Sequence, residues 1–233
     1  MRVLVATTLL AVTATVARPT LAVAQDIGDI AAFAALTFTP TGGLVPLPPP
    51  IAGRGTSFLL RYGMLDFSGG GPTLHNIVAG GDFAAGTGRF GAALGYSTCD
   101  GCDGNIMAGM DYTASLTQGK AMIAVRPAIG FSKPTEGDGS ALSLGVSFPV
   151  GIDLSAGGDG PHLIPYVVPG FGYGRISGDD ETESGTRPML GGGFAIVSRR
   201  SGFGVHFGFN KTFIEDGETT FGVGLSLGGK PTP

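Results

Sequence analysis

Tryptophan is absent from the 233 residues, cysteine occurs twice, histidine three times, and charged residues make up only 14%. Each scarcity excludes something. Two cysteines cannot complete a structural zinc site, which takes four ligands. His75, His162 and His206 are far apart and show no paired metal-ligand spacing. So little charge beside 42% hydrophobic residues is the opposite of a disordered composition. After the N-terminal segment no apolar stretch approaches the ~20 residues that cross a bilayer as a helix. No Gly-x-Ser-x-Gly elbow occurs, and no phosphate loop closing on Gly-Lys-Ser/Thr.

Glycine is what the chain has in abundance, at 43 residues. It lacks the every-third spacing of collagen. Each glycine costs about 1 kcal/mol relative to alanine inside a helix, so this content argues for an all-β protein.

The N-terminus reads as an export signal. Arg2 supplies the positive charge, Val3 to Ala17 the apolar stretch, and Ala22-Val23-Ala24 the small-x-small cleavage site before Gln25. This divides the chain into a signal peptide (1–24), a Pro-rich periplasmic lead-in or linker (25–54), a β-barrel (55–229) and a short tail (230–233). The lead-in contains Val45-Pro46-Leu47-Pro48-Pro49-Pro50, an extended spacer by composition. Removing Arg2 and Arg18 from the 14 basic residues leaves 12 against 18 acidic ones, a net charge of −6. That balance does not suit a nucleic-acid partner, whose binding rests on neutralised phosphates. In an exported chain the run Cys99-Asp100-Gly101-Cys102 reads as a small disulfide pinning a loop.

From about Thr56 the hydrophobic pattern takes a period of two. Phe221, Val223, Leu225 and Leu227 alternate with Gly222, Gly224, Ser226 and Gly228. Phe90, Ala92, Leu94 and Tyr96 alternate with Gly91, Ala93, Gly95 and Ser97, and Leu142 to Ile152 repeat the pattern. One face is large and apolar, the other tiny or polar. A soluble barrel or sandwich would coat its outer face with charge. Here the second face has little charge, so the apolar face is expected to meet lipid and the small face to line a lumen. Ten segments follow, at 56–67, 74–85, 89–98, 104–116, 120–132, 140–153, 162–176, 187–198, 203–214 and 218–228. An even count with short turns at one end predicts a closed antiparallel up-and-down transmembrane barrel of eight to ten strands, ten favoured. Pro127, Pro149, Pro165 and Pro169 fall inside predicted strands, where each removes a ladder donor.

Export signal, glycine-rich alternating strands and the acidic loop Asp179-Asp180-Glu181-Thr182-Glu183 together resemble the small outer-membrane β-barrel families of Gram-negative bacteria. The resemblance spans residues 56 to 228. It implies localisation in the cell outer membrane, outer-membrane lipid as surroundings, and the barrel-assembly machinery as partner during biogenesis. Some barrels of this kind hydrolyse lipid A acyl chains with a His-x-Ser-Asn motif and a later acidic partner. The nearest run here is His206-Phe207-Gly208-Phe209-Asn210 with Glu215 downstream, and glycine stands where the nucleophilic serine would be.

No cofactor is expected. Gly86-Thr87-Gly88-Arg89-Phe90-Gly91 matches the dinucleotide fingerprint by letter but straddles a turn between two alternating strands, where no helix N-terminus can hold a pyrophosphate. The polar candidates for the lumen are Arg61, Asp82, Asp111, Arg126 and Asp153, expected to pair across it because an unpaired buried charge is costly. The expected function is a non-enzymatic outer-membrane barrel, structural and surface-exposed or a narrow, porin-like pore. A soluble periplasmic or secreted barrel binding an apolar ligand is the alternative, and a lipid A deacylase-like barrel the third.

Overall fold

The structure is a computed structural model and describes Pro48 and residues 55–66, 73–99, 101, 103–117, 119–137, 139–155, 160–177, 182–212 and 219–228. The predicted signal peptide, the lead-in apart from Pro48, Cys102, Asp179 to Glu181, Glu215 and the tail lie outside the described residues.

Among the described residues every regular element is a strand. They are β1 (Ser57–Asp66), β2 (Leu74–Ala85), β3 (Gly88–Cys99), β4 (Asn105–Thr117), β5 (Ala121–Pro134), β6 (Ser140–Ser147), β7 (Val150–Ile152), β8 (His162–Ser177), β9 (Thr182–Val197), β10 (Phe203–Thr212) and β11 (Thr219–Gly228). Each strand pairs antiparallel with its neighbour around the ring, and β1 pairs with β11 from Ser57↔Gly228 to Asp66↔Thr219. That last ladder closes the sheet. β6 and β7 both lie between β5 and β8 and form one wall strand interrupted at Phe148-Pro149, so the barrel has ten strands in its wall.

Three of the four turns at one end are tight. β2 and β3 are joined by Gly86-Thr87, with Gly86 at φ 60°, a left-handed conformation that glycine adopts without steric cost. β9 and β10 are joined by Ser198 to Gly202, closed by Gly202 N–H donating to the Ser198 carbonyl at 3.0 Å. The β7–β8 connection at the same end is longer, running from Asp153 to Pro161.

The prolines sit where the ladder is already interrupted. Pro149 occupies the break between β6 and β7. The Pro169 carbonyl accepts a hydrogen bond from Phe148 N–H at 2.8 Å. In an antiparallel strand a residue's two backbone groups face the same neighbour. The donor Pro169 lacks would therefore point at that same break. At Pro127 the registered β4–β5 pairing skips from Asp111↔Ala128 to Ala114↔Val125, and Pro165 lies beyond the last β7–β8 pair, Gly151↔Tyr166. One boundary differs from the sequence reading. β9 begins at Thr182 rather than 187, because the polar run Thr182 to Thr186 pairs with Ser177 to Tyr173 of β8. Cross-strand pairing decides it where the hydrophobic pattern is silent. In the described ladder, residues 182–188 pair with β8 alone and carry the β8–β9 hairpin past the end of β10.

The side chains are distributed inside-out. Phe58, Leu60, Leu94, Ile106, Phe131, Phe207, Phe221 and Leu227 point outward and are exposed, Phe58 by 66% and Leu94 by 67%. Ser57, Arg61, Asn76, Ser97, Asp111, Thr113, Arg126 and His206 point inward and are buried. A water-soluble barrel could not hold such an outer face, whereas a bilayer requires it. In lipid vesicles, Leu94→Arg is expected to destabilise the barrel by about 2–4 kcal/mol, the cost of a cation on the lipid face. Urea unfolding followed by far-ultraviolet circular dichroism measures it, and an unchanged midpoint would contradict a lipid-facing Leu94.

Candidate functional site

The inward face brings together charges that are far apart in sequence. Arg61 on β1, Asp111 on β4 and Arg126 on β5 are 2%, 7% and 6% exposed. Asp111 lies within electrostatic reach of both arginines, and Arg126 in turn of Arg61, Asp82 and Tyr166. A relay joins two of them. Arg126 Nε donates to Thr113 Oγ1 at 2.7 Å, and the Thr113 hydroxyl donates to Asp111 Oδ1 at 3.3 Å. This hydrogen bond crosses the wall where the β4–β5 ladder is skipped, so side chains restore a link that the backbone gives up.

Small residues opposite make the room. Arg61, Gly224 and His206 lie side by side on β1, β11 and β10. A Cβ on Gly224 would collide with the His206 ring and would lie 2.8 Å from Arg61 Cγ. A Cβ on Gly193 would collide with the Phe207 carbonyl and lie 2.7 Å from the Tyr166 hydroxyl, and one on Gly91 would lie 3.0 Å from Asp111 Oδ1. At Gly224 and Gly91 the missing Cβ leaves room for large polar side chains. Apolar clusters flank these groups. Leu65, Leu74, Val78, Ala93, Cys99 and Met107 form one on β1 to β4, and Met122, Ile164, Tyr166, Val168 and Ala195 another on β5, β8 and β9.

Asp82 sits nearer the tight-turn end. Its carboxylate accepts from Arg89 Nε and, at 2.6 Å, from Ser57 Oγ. Arg89 Nη2 also donates to the Gly55 carbonyl at 2.6 Å. Asp153 stands apart from the others, past the end of β7. His162 Nδ1 is 2.5 Å from its Oδ2, and Ser155 N–H donates to its Oδ1 at 2.9 Å. Partial burial raises the Asp153 carboxyl, but these hydrogen bonds outweigh it and hold the group below its ordinary value of 3.8. Arg199 reaches the same place, donating to Ser155 Oγ at 2.7 Å, so the cluster ties the β7–β8 connection to the β9–β10 turn.

The structure therefore gathers Arg61, Asp111 and Arg126 into one network, with Asp82 within its electrostatic reach, and leaves Asp153 at the rim. Sequence reasoning missed Arg89, Thr113, Tyr166 and His162 as members. Arg89 was hidden in the Gly86 to Gly91 run, which here is a turn entering a strand and offers no helix. The inward period of two, continued through β3 and β8, would have flagged it and Tyr166. Cys99 is disulfide-bonded and closes the end of β3. His206 is 2% exposed and faces inward, while Phe207 and Phe209 occupy the outer face beside it. A lipid acyl chain outside the wall cannot reach that imidazole. Among the described residues no group of three or more His, Cys, Asp or Glu could hold a metal. On the outer wall a groove of about 540 Å³, lined by Ala79, Ala92, Leu94, Ala108, Met110 and Phe131 among others, has no titratable side chain.

No protein-family model matches the chain, and no curated protein matches it. Nine solved chains do. One is described as a bacterial polysaccharide outer membrane secretin, at 9% identity and TM-score 0.47, covering 74% of this chain and 64% of that one. This chain thus spans a little under two thirds of the secretin's length. Another is Ail, the attachment invasion locus protein of Yersinia pestis, at 12% identity and TM-score 0.33, covering 76% of this chain and 99% of that one. Ail in complex with the heparin analogue sucrose octasulfate aligns at 12% identity and TM-score 0.29.

Two outcomes test the network. Asp111→Asn removes the carboxylate shared by two buried arginines and is expected to cost about 3–5 kcal/mol, the usual result of orphaning a buried charge. Pairing it with Arg126→Met should return part of that loss, read as urea midpoints. At the rim, a depressed carboxyl contributes stability above pH 3.8 that is lost as pH falls through its folded value. Asp153→Asn should therefore flatten the acid limb of the stability curve between pH 5 and pH 2, as measured by thermal melts; an unchanged limb would show that the His162 and Ser155 contacts contribute nothing.

Proposed function

We propose that this chain is a non-enzymatic barrel of the bacterial outer membrane whose task is structural display at the cell surface, with a filled lumen rather than an open channel. The observation behind this reading is the placement of Arg61, Asp111, Arg126, Tyr166 and His206 across the inner face, each less than about a tenth exposed. Water-filled pores keep their lumen charges solvated; these are packed against glycine and against each other. Barrels of about this strand number are usually filled by their own side chains.

The orientation follows from the connections. The end with three tight turns faces the periplasm, and the projecting β8–β9 hairpin faces outward. Export by the N-terminal signal and insertion by the barrel-assembly machinery complete the route, with outer-membrane lipid against the apolar wall. A soluble barrel binding an apolar ligand would need the large side chains inside, and here Phe58, Leu94 and Phe221 are outside. A lipid hydrolase would need its histidine on the lipid face, and His206 is on the other.

Separated membrane fractions and gels run with and without boiling test this reading. The protein should sit in the outer-membrane fraction and shift in mobility on boiling, and should give no stepwise conductance in planar bilayers. Recovery from the soluble periplasm without a shift would overturn the membrane assignment; regular conductance steps would overturn the filled lumen.

A further inference from the structure

The lead-in meets the barrel inside its lumen. Arg126 Nη2 donates to the carbonyl of Pro48 at 3.1 Å, across 78 positions of sequence. Arg126 is only 6% exposed and its Nε is held by Thr113, so its guanidinium is fixed inside the wall. A second contact lies closer to β1, where Arg89 Nη2 holds the Gly55 carbonyl at 2.6 Å while Arg89 Nε is bound to Asp82. The carbonyl of Pro48 in the lead-in and that of Gly55, where the chain enters β1, are thus both held by inward-facing arginines.

We propose that the proline-rich stretch of the lead-in docks in the lumen of its own barrel through Pro48, with Arg126 as its receptor. The match is chemical. Proline has no N–H, so a run rich in proline brings carbonyl acceptors and almost no donors. Arginine brings five donors and no acceptor. Residues 46–50 include four prolines, and Arg61, Arg89 and Arg126 all face the lumen. An ordinary segment placed there would carry amide donors into a space lined by donors. The glycines, alanines and serines of the inner face supply the room. Length is no obstacle: the nine residues from Pro48 to Ser57 reach up to about 30 Å when extended. This docking rests on the filled-lumen reading and names one of the things that fills it.

The test uses the full mature chain with Pro48→Cys, which keeps the carbonyl that Arg126 holds. Cys99 is disulfide-bonded and does not compete for a thiol reagent. Labelling by a charged, membrane-impermeant maleimide is compared with Ser201→Cys, an exposed position in the β9–β10 turn. Docking predicts labelling about tenfold slower at position 48, as expected of a site reached only by local opening. Adding Arg126→Ala should bring the rate back toward that of Ser201→Cys; Arg126→Gln, which keeps one amide donor, replaces it if that variant does not fold. Equal rates at positions 48 and 201 in a barrel that still shifts on boiling would overturn the docking. So would a slow rate at position 48 that neither Arg126 variant changes. Channel conductance by the same protein would bear on the filled lumen alone, leaving the labelling to decide the docking.

Discussion

Ring closure between β1 and β11 is the constraint on which the rest depends. In a hydrocarbon surrounding, each unsatisfied backbone group costs several kcal/mol, and a sheet has two edges full of them. Ten registered pairs from Ser57↔Gly228 to Asp66↔Thr219 remove both edges at once. Once the ring is closed, the alternation along each strand sorts every residue into one that meets lipid and one that does not. That sorting leaves the prolines few places to go. They occupy the break at Phe148-Pro149, the strand position facing it at Pro169, the skipped pairs at Pro127 and, at Pro165, the position just past the last β7–β8 pair. The wall bends its pairing around them, and Arg126 to Thr113 bridges the stretch where pairing lapses.

The inner face answers a different demand. Arg61 and Arg126 are buried together, and one carboxylate, Asp111, lies between them electrostatically. Two cations around one anion stay folded only if further acceptors contribute, and the Thr113 hydroxyl and the Pro48 carbonyl do so for Arg126. Breaking such a set by removing one member is costly because the remaining charges cannot return to water. The rim is looser. Asp82 with Arg89 and Asp153 with His162 are near the tight-turn end, where solvent can share the load.

Much of this fold was legible in the residues. Period-two alternation located the wall strands, most of them to within a residue or two, because lipid on one side and a narrow lumen on the other impose opposite size requirements at successive positions. Where that contrast fades, the reading failed. Thr182 to Thr186 is polar on both faces and looked like a loop, yet its pairing with β8 makes it strand. Arg61, Asp111 and Arg126 lie buried on the inner face, since a charge on the small-residue face has nowhere else to go. Asp153 lies just past Ile152, where its N–H still donates to the Lys120 carbonyl and its carboxylate turns to His162 and Ser155. Nothing in the sequence pointed from Pro48 to Arg126; a contact across 78 positions exists only once the ring is closed.

The glycines are best understood through the arginines. A lumen of ten strands is too narrow for large side chains on every inward position, and Arg61, His206 and Asp111 take room left by missing Cβ atoms nearby. Gly224 yields to Arg61 and His206, Gly91 to Asp111, and Gly193 to Tyr166. The two sets are coupled: enlarging a glycine displaces a charge, and shortening a charged side chain leaves a void beside a glycine. The outer face has no such coupling, because lipid conforms to whatever apolar side chain meets it. Substitution should therefore be tolerated singly on the outside and only in compensating pairs on the inside. The same argument extends to the lead-in, since a proline-rich segment inside the lumen must fit both the space the glycines leave and the donors the arginines present.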